Sequence, residues 1–561
     1  TFRENASLLA EMVAYCEQDV RAMRAVSKAM RDLSAEELSD YHVNERINDR
    51  GVLVDVDLCR AAVKYASDEL VEIEEIVDDV TEGEITSVRS PRMREWVVER
   101  VGEEALTLMT VYKDGEKKFS IDKTVRANLL LLAEENPDEV PPDVAEVIQC
   151  ADDLWASSVA KFSRLSDLAD EEDHRVRGAF VFAGGSATGR ASSYGAQVHN
   201  FTRKVAAAPD DVRHAMVRGH EIVPKFGKRV TDVLKGMLRP ALVPAPGHVL
   251  IVADWAAIEA RMNPWLSSEP TSEAKLELFR TGGDVYKVNA SKTFHISVDE
   301  IDKDQRQIGK VQELACGYGG GIGAFAAMGR VYGVRLPESD ARRMVDAWRR
   351  ANPWAVSYWQ KLESAYTRAM RHKGHEFSAG RVTYLYDGQH LWYCLPSGRI
   401  LCYPYARVEG DGVTYAKASW KPAADAKEWP RARLWKGLAC ENITQATAND
   451  VLRYALRSLD NVVLHVHDEI VLEVPVAGPL EDLGQAPLLR GVGEFGRLLE
   501  GDVGDGPGDA TEPQVRRSDV GRDEREEAPA DDHRHLVPFE QGRQAGHLLL
   551  MLGGQAAVEA Q

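Results

Sequence analysis

The chain has 561 residues, 44% hydrophobic and 28% charged, which is enough for two to four domains with real cores. Its formal net charge is −20, but the acids crowd the first hundred and last eighty-odd residues while Lys and Arg cluster from about Lys204 to Arg350. Local field governs a cleft, so this total does not exclude a nucleic-acid partner.

No apolar run approaches the ~20 residues that cross a bilayer, so no membrane partner is expected. Seven scattered cysteines without a CxxC pair fit reduced thiols in a cytosol, not a disulfide framework or a zinc site.

Residues 7–32 have helical apolar spacing and place Tyr15 and Asp19 on one face, which in isolation is an ordinary surface pair. Asn48-Asp49-Arg50-Gly51 signals a turn before a short alternating strand, VLVDVDL, and an acidic helix follows over 58–80. A hairpin is expected around Lys113-Asp114-Gly115, a break at Pro141-Pro142, and a helix through Ser157, Lys161 and Arg164. Residues 173–203 hold a strand and then a Gly/Ser/Thr-rich stretch with Arg190 and Arg203. That composition suits phosphate or sugar contacts, and equally a polar surface loop.

In GHVLIVADWAAIEAR (247–261), a buried strand ends on Asp254 and a helix starts beyond it, carrying Glu259 and Arg261. Sheets commonly place ligand chemistry at such a strand end. Residues 299–319 form a helix with Arg306, Lys310, Leu314 and Tyr318 at i, i+4, i+8 and i+12. Two cations followed by an apolar residue and an aromatic suit a cleft for an anionic, partly planar ligand. The GYGGGIG that follows lacks the Lys-Ser/Thr of a P-loop and reads as a flexible helix end.

A Trp-rich helical region (Trp348, Trp354, Trp359) leads to strands in LPSGRILCYPYARV and a helix over 441–456 with Gln445 on a polar face. In NVVLHVHDEIVLEV (461–474), two β-branched runs flank His467, Asp468 and Glu469, which reads as a hairpin with an acidic tip. Beyond Pro475 there is no Lys, Trp or Tyr and no sustained period, so residues 476–561 read as a disordered or frame-shifted tail.

Two facing carboxylates repel, and each rises in pKa if left alone. Magnesium removes the repulsion, and two such ions ~3.5–4 Å apart can clamp the attacking and leaving oxygens of an in-line phosphoryl transfer. With Asp254 and Asp468 on one sheet and Arg306 and Lys310 opposite, the chain reads as a nucleotidyl transferase.

DWAAIEAR, RQIGKVQELACGYG and HVHDEIV resemble motifs A, B and C of family A DNA polymerases, the bacterial polymerase I and phage replicative group. TGRASS and ITQATAND resemble two further blocks in the family's order. The resemblance implies an α+β right hand, with an antiparallel palm sheet and helical fingers and thumb. Residues 1–32 would be the end of a 3′–5′ exonuclease domain and 33–160 the thumb and its connection. The palm would take 161–275 and 401–475, and the fingers 276–400.

It also implies template-directed DNA synthesis from primer–template DNA and dNTPs, with two Mg²⁺ ions on Asp254, Asp468 and the Trp255 carbonyl. Glu469 would be a further catalytic acid and Lys310 would assist catalysis. Arg306, Lys310, Leu314, Tyr318, Glu259 and Tyr286 would bind the nucleotide, Glu259 blocking a ribose 2′-hydroxyl. Arg190, Gln445, Thr188, Arg261 and His467 would contact DNA.

An aromatic usually stands where Leu314 does, so altered discrimination against dideoxynucleotides is expected, and Tyr286 replaces a common His. Tyr15 and Asp19 resemble the last exonuclease motif without its earlier carboxylates, so no proofreading is expected. A processivity partner and a phage origin, with work in a bacterial cytosol, complete the expectations. A single-subunit RNA polymerase and a DNA-binding remnant without catalysis are the alternatives.

Overall fold

The computed structural model describes residues 5–30, 32–113, 116–154, 159–227, 229–417, 429–476 and 556–560. Its organising element is a four-stranded antiparallel sheet. The strands are β1 (His248–Trp255), β2 (Val462–Val466), β3 (Glu469–Pro475) and β4 (Ala556–Ala560), in the order β2-β3-β1-β4.

The apolar runs of 461–474 make the expected hairpin, with His467 and Asp468 as its two-residue loop and His467 at φ 57°. β3 pairs with β1 from Glu469↔Asp254 to Pro475↔His248, so the hairpin tip and the end of β1 coincide.

The tail expected to lack structure contributes β4, whose Ala556 pairs with Trp255 and Ala560 with Ile251. Without it β1 would expose a row of unpaired backbone groups. Residues 477–555 lie outside the described residues.

Four helices position the site: α1 (Ile258–Ser267), α2 (Val285–Phe294), α3 (Lys303–Cys316) and α4 (Lys436–Ser458). Asp302 and Gln305 form a capping box that starts α3, and Asp284 caps α2. The two helices pack closely because Gly309 lacks a side chain, and a Cβ there would collide with the Tyr286 carbonyl.

Three hydrophobic clusters divide the described residues. One joins Val43, Ile47, Leu58, Phe162 and Leu165 to the sheet residues Leu250, Val462 and Val471. A second, from Ile73 to Ala151, contains Trp96, Met109, Leu129 and Ile148. The third packs Trp348, Tyr358 and Trp359 with Met262 and Trp265 of α1 and Ile443 and Val451 of α4.

The unit expected over 33–160 therefore splits. Helix Ala35–Arg50 packs with the sheet, where Arg50 donates to the Val462 carbonyl at 2.6 Å. The region expected as fingers and second palm segment carries more strand than anticipated. Glu376–Ala379, Val382–Tyr386, Leu391–Cys394 and Ile400–Tyr403 form one sheet, and Arg407–Glu409, Gly412–Ala416 and Arg431–Leu434 another. Near the N-terminus the expected helix spans Ala6–Ala29, with Tyr15 exposed on it.

Candidate active site

The register of β1 and β3 sets Asp254 directly opposite Glu469, with both side chains on one face of the sheet. Asp468 joins them because the Trp255 amide donates to its carbonyl at 3.3 Å. Three acids thus meet where one strand ends and a hairpin turns.

Two of the three are answered by cations. Arg239 reaches both oxygens of Glu469, at 2.9 and 3.1 Å, and Arg203 stands 3.9 Å from an oxygen of Asp468. Asp254 makes no ion pair among the described residues, and its Oδ1 is buried without a hydrogen-bond partner. Burial first, and then the Asp468 charge, push its carboxyl up to about 7, and burial likewise raises Asp468.

That chemistry fits a divalent cation. An orphaned buried oxygen beside a second destabilised carboxylate gains most from positive charge. Although three acids lie near one another, no group of three His, Cys, Asp or Glu side chains among the described residues is placed to hold one metal ion by itself. Two carboxylates, the Trp255 carbonyl, water and substrate oxygens are the donors that suit magnesium. Glu469, expected as a catalytic acid, instead gives both oxygens to Arg239.

Arg203 is the electrostatic link between this centre and the cationic helix. Burial lowers the Lys310 pKa first, followed by the neighbouring charges of Arg306 and Arg203. Arg203 therefore lies within electrostatic reach of both Asp468 and α3. Arg306 pairs with Asp284 through Nε at 2.6 Å, with its guanidinium 5.2 Å from the Tyr286 ring centre. Lys310 Nζ sits 4.4 Å over the Tyr332 ring. Leu314, one turn on, is 36% exposed although apolar, as a cleft-facing residue would be.

Glu259 ties three sequence blocks together. Arg190 donates to its Oε1 at 2.9 Å, and the Tyr318 hydroxyl donates to its Oε2 at 2.6 Å. The loop that presents Arg190 is clamped from behind. Gly189 turns at φ 66°, and its carbonyl accepts from Asn449 at 3.0 Å and Arg453 at 2.7 Å. Arg399 donates to the Thr188 carbonyl at 3.0 Å while its Nε pairs with Asp450. Charge-assisted bonds of this kind contribute about 1.5–3 kcal/mol each when buried.

The expected DNA contacts divide. Gln445 donates to Glu441 at 3.4 Å, and Glu441 lies close enough to Glu259 and Arg190 to feel both charges. His467 stands at the hairpin tip, 5.4 Å from the His199 ring, its pKa lowered by burial and then by Arg190. Two residues are placed otherwise. Thr188 is buried, and its hydroxyl accepts from the Arg190 amide at 3.3 Å, so it shapes the loop. Arg261 is buried too, donating to the Ala256 carbonyl at 2.8 Å and lying 4.4 Å over Phe279. Burial pushes its guanidinium down to about 10.

Sequence reading did not find Arg239, Arg399, Asp450 or Glu441, and gave Arg203 no role beyond its loop. Only Asp450 left a signal, as an acid on the otherwise buried face of α4.

The sequence model of the family described as DNA polymerase family A matches residues 57–481. The DNA polymerase of Bacillus phage SP02 is 34% identical over 473 residues, covering 82% of this chain and 69% of that protein. DNA polymerase I of Pseudomonas aeruginosa PAO1 is 23% identical over 468 residues. That match covers 82% of this chain but 41% of the bacterial protein, so the chain spans less than half of it. Among solved structures, the POL domain of Pol1 from M. smegmatis, in complex with DNA primer-template and dNTP, superposes with a TM-score of 0.56. Its identity is 17%, over 87% of this chain and 70% of that one, a likeness of fold.

Proposed function

The chain belongs to DNA polymerase family A and is a DNA-directed DNA polymerase, and we propose that Asp254 and Asp468 are the carboxylates on which its nucleotidyl transfer depends. The observation that carries this reading is the buried, unpartnered Oδ1 of Asp254 beside Asp468, with Arg203 in electrostatic reach of both Asp254 and Lys310. Asp254, Asp468 and the Trp255 carbonyl would hold two magnesium ions, which when bound supply charge to activate the primer 3′-hydroxyl and to offset the triphosphate.

The residues of the chain do the rest. Arg306 and Lys310 hold the triphosphate, with Tyr286 supporting Arg306 from beneath, and Arg203 adds a third cation between α3 and the acids. Arg239 keeps Glu469 neutralised, so the hairpin tip carries less repulsion than three acids would give. Glu259, fixed by Arg190 and Tyr318, stands as a wall against a ribose 2′-hydroxyl, and Leu314 offers the sugar an apolar surface. Arg190 and Gln445 meet the minor groove of the primer end, where shape is read more than sequence. Membership of a DNA polymerase family removes the RNA polymerase alternative.

The similarity to the SP02 polymerase supports a phage origin for the gene. No described helix is long and apolar enough to cross a membrane.

Primer extension tests the assignment. The protein should extend a primer on a template with dNTPs and Mg²⁺, and not with NTPs. Asp254→Ala should lower the rate about 1,000-fold or more, the scale of losing transition-state charge stabilisation. Extension at an undiminished rate by that variant would overturn it.

A further inference from the structure

Trp435 immediately precedes α4, and its side chain is 43% exposed. A large aromatic left this open offers a large apolar gain to whatever covers it. This indole is nonetheless held in place. A Cβ on Gly437 would overlap its six-membered ring and the Tyr318 carbonyl, and one on Gly319 would lie 3.7 Å from the ring. One edge is thus wedged between two glycines against the backbone of Tyr318 and Gly319, and the remainder faces solvent.

The place matters as much as the exposure. The Tyr318 hydroxyl points to Glu259, on the side of the ribose wall and of Arg190. Trp435 lies across Gly437 from the carbonyl end of the same residue. On the polymerase reading the primer ends at the insertion site, and the template strand alone continues beyond it. Basic residues accompany the indole: Arg349 donates to the Gly319 and Gly320 carbonyls, Lys436 follows in sequence with its Nζ 3.8 Å from Glu363, and Arg433, two residues upstream, pairs with Asp411 at 3.0 Å. A rigid indole with nearby positive charge is how proteins take a single strand without reading its sequence.

We propose that Trp435 is a stacking platform for the first unpaired template base beyond the templating position. The proposal rests on the polymerase reading of the site and deepens it by naming a template-strand contact. Any of the four bases fits, because each presents a π face, and the gain is in holding the incoming template straight.

The test uses the full chain with primer–template DNA, without metal or nucleotide, and a fluorescent 2-aminopurine at the first unpaired template position. Stacking quenches the probe in the native protein. Trp435→Ala should remove that quenching and weaken binding of overhanging DNA about 5- to 100-fold, the range measured for losing one stacked base. Affinity for a blunt duplex should change less than about twofold, and Trp435→Phe should keep both quenching and affinity. Equal losses on overhanging and blunt DNA, or no change on either, would overturn the proposal. Failure of the native protein to bind primer–template at all would instead overturn the polymerase reading, and the platform with it.

Discussion

Replacing Asp254 with asparagine should make the metal-free protein more stable. In the folded chain its carboxyl is pushed up to about 7, by burial first and then by Asp468, from an ordinary value of 3.8. A carboxyl raised in this way favours folding while protonated. That contribution is complete below about pH 4 and is lost as pH climbs through 7. Above pH 7 the native protein therefore carries a buried, unpartnered charge that the asparagine variant would lack.

Holding a carboxyl near 7 in place of 3.8 sets a ceiling of roughly 4 kcal/mol. Partial access to solvent reduces it to about 1–2 kcal/mol. For the unit containing the sheet that corresponds to several degrees in melting temperature, at roughly 2–4 °C per kcal/mol. The assay is thermal melting in EDTA across pH 4 to 8.5. Asp254→Asn should melt above the native protein at pH 8, with the gap narrowing below pH 7 and closing near pH 4. Magnesium should raise the native melting temperature and leave the variant's in place. A variant that melts lower at pH 8, or gains equally at every pH, would refute the argument that unrelieved charge sits at Asp254.

Glu259→Ala should admit ribonucleotides about 10- to 100-fold more readily in single-nucleotide incorporation, because it opens the wall that Arg190 and Tyr318 hold. Arg239→Leu strands Glu469 beside Asp254, and should cost about 1–3 kcal/mol in denaturant melts as well as slowing extension. The double change Arg239→Leu with Glu469→Gln should recover most of that stability. Leu314→Phe should alter the ratio of dideoxynucleotide to deoxynucleotide incorporation, and an unchanged ratio would show that residue 314 does not touch the sugar.

The parts of this site legible in the sequence are those whose chemistry is local. Asp254 stands at the end of a five-residue apolar run, Asp468 in the turn of a hairpin, and the stripe from Arg306 to Tyr318 on one helix face. Each is set by periodicity within about fifteen residues. Their convergence follows from β1 and β3 being the apolar strands available to pair beside the hairpin turn.

What could not be read is long-range pairing of common residue types. Arg239 and Glu469 lie far apart in the chain, and neither has a sequence context unlike dozens of other Arg and Glu. The same holds for Arg399 with Asp450, and for the buried group of Lys275, Glu313, Asn289 and Trp348 behind α3. Thr188 and Arg261 show the converse. A hydroxyl in a site loop and a guanidinium on the first turn of α1 look like DNA contacts, yet nearby backbone groups use them first. Which core the helix Ala35–Arg50 joins could not be read, because it is mostly polar and its few apolar residues name no partner. Its long-range partners assign it to the sheet side: Val43 and Ile47 share a core with the sheet, Arg50 donates to the Val462 carbonyl, and Asp40 pairs with Arg453 and Arg457 of α4.

The most direct measurement is anomalous diffraction from crystals of the ternary complex with primer–template, a non-hydrolysable dNTP and Mn²⁺ in place of Mg²⁺. The account predicts two peaks about 3.5–4 Å apart, bridged by the oxygens of Asp254 and Asp468, with the triphosphate between them and Arg306 and Lys310. Manganese held by only one of the two acids, or a triphosphate seated away from α3, would contradict it.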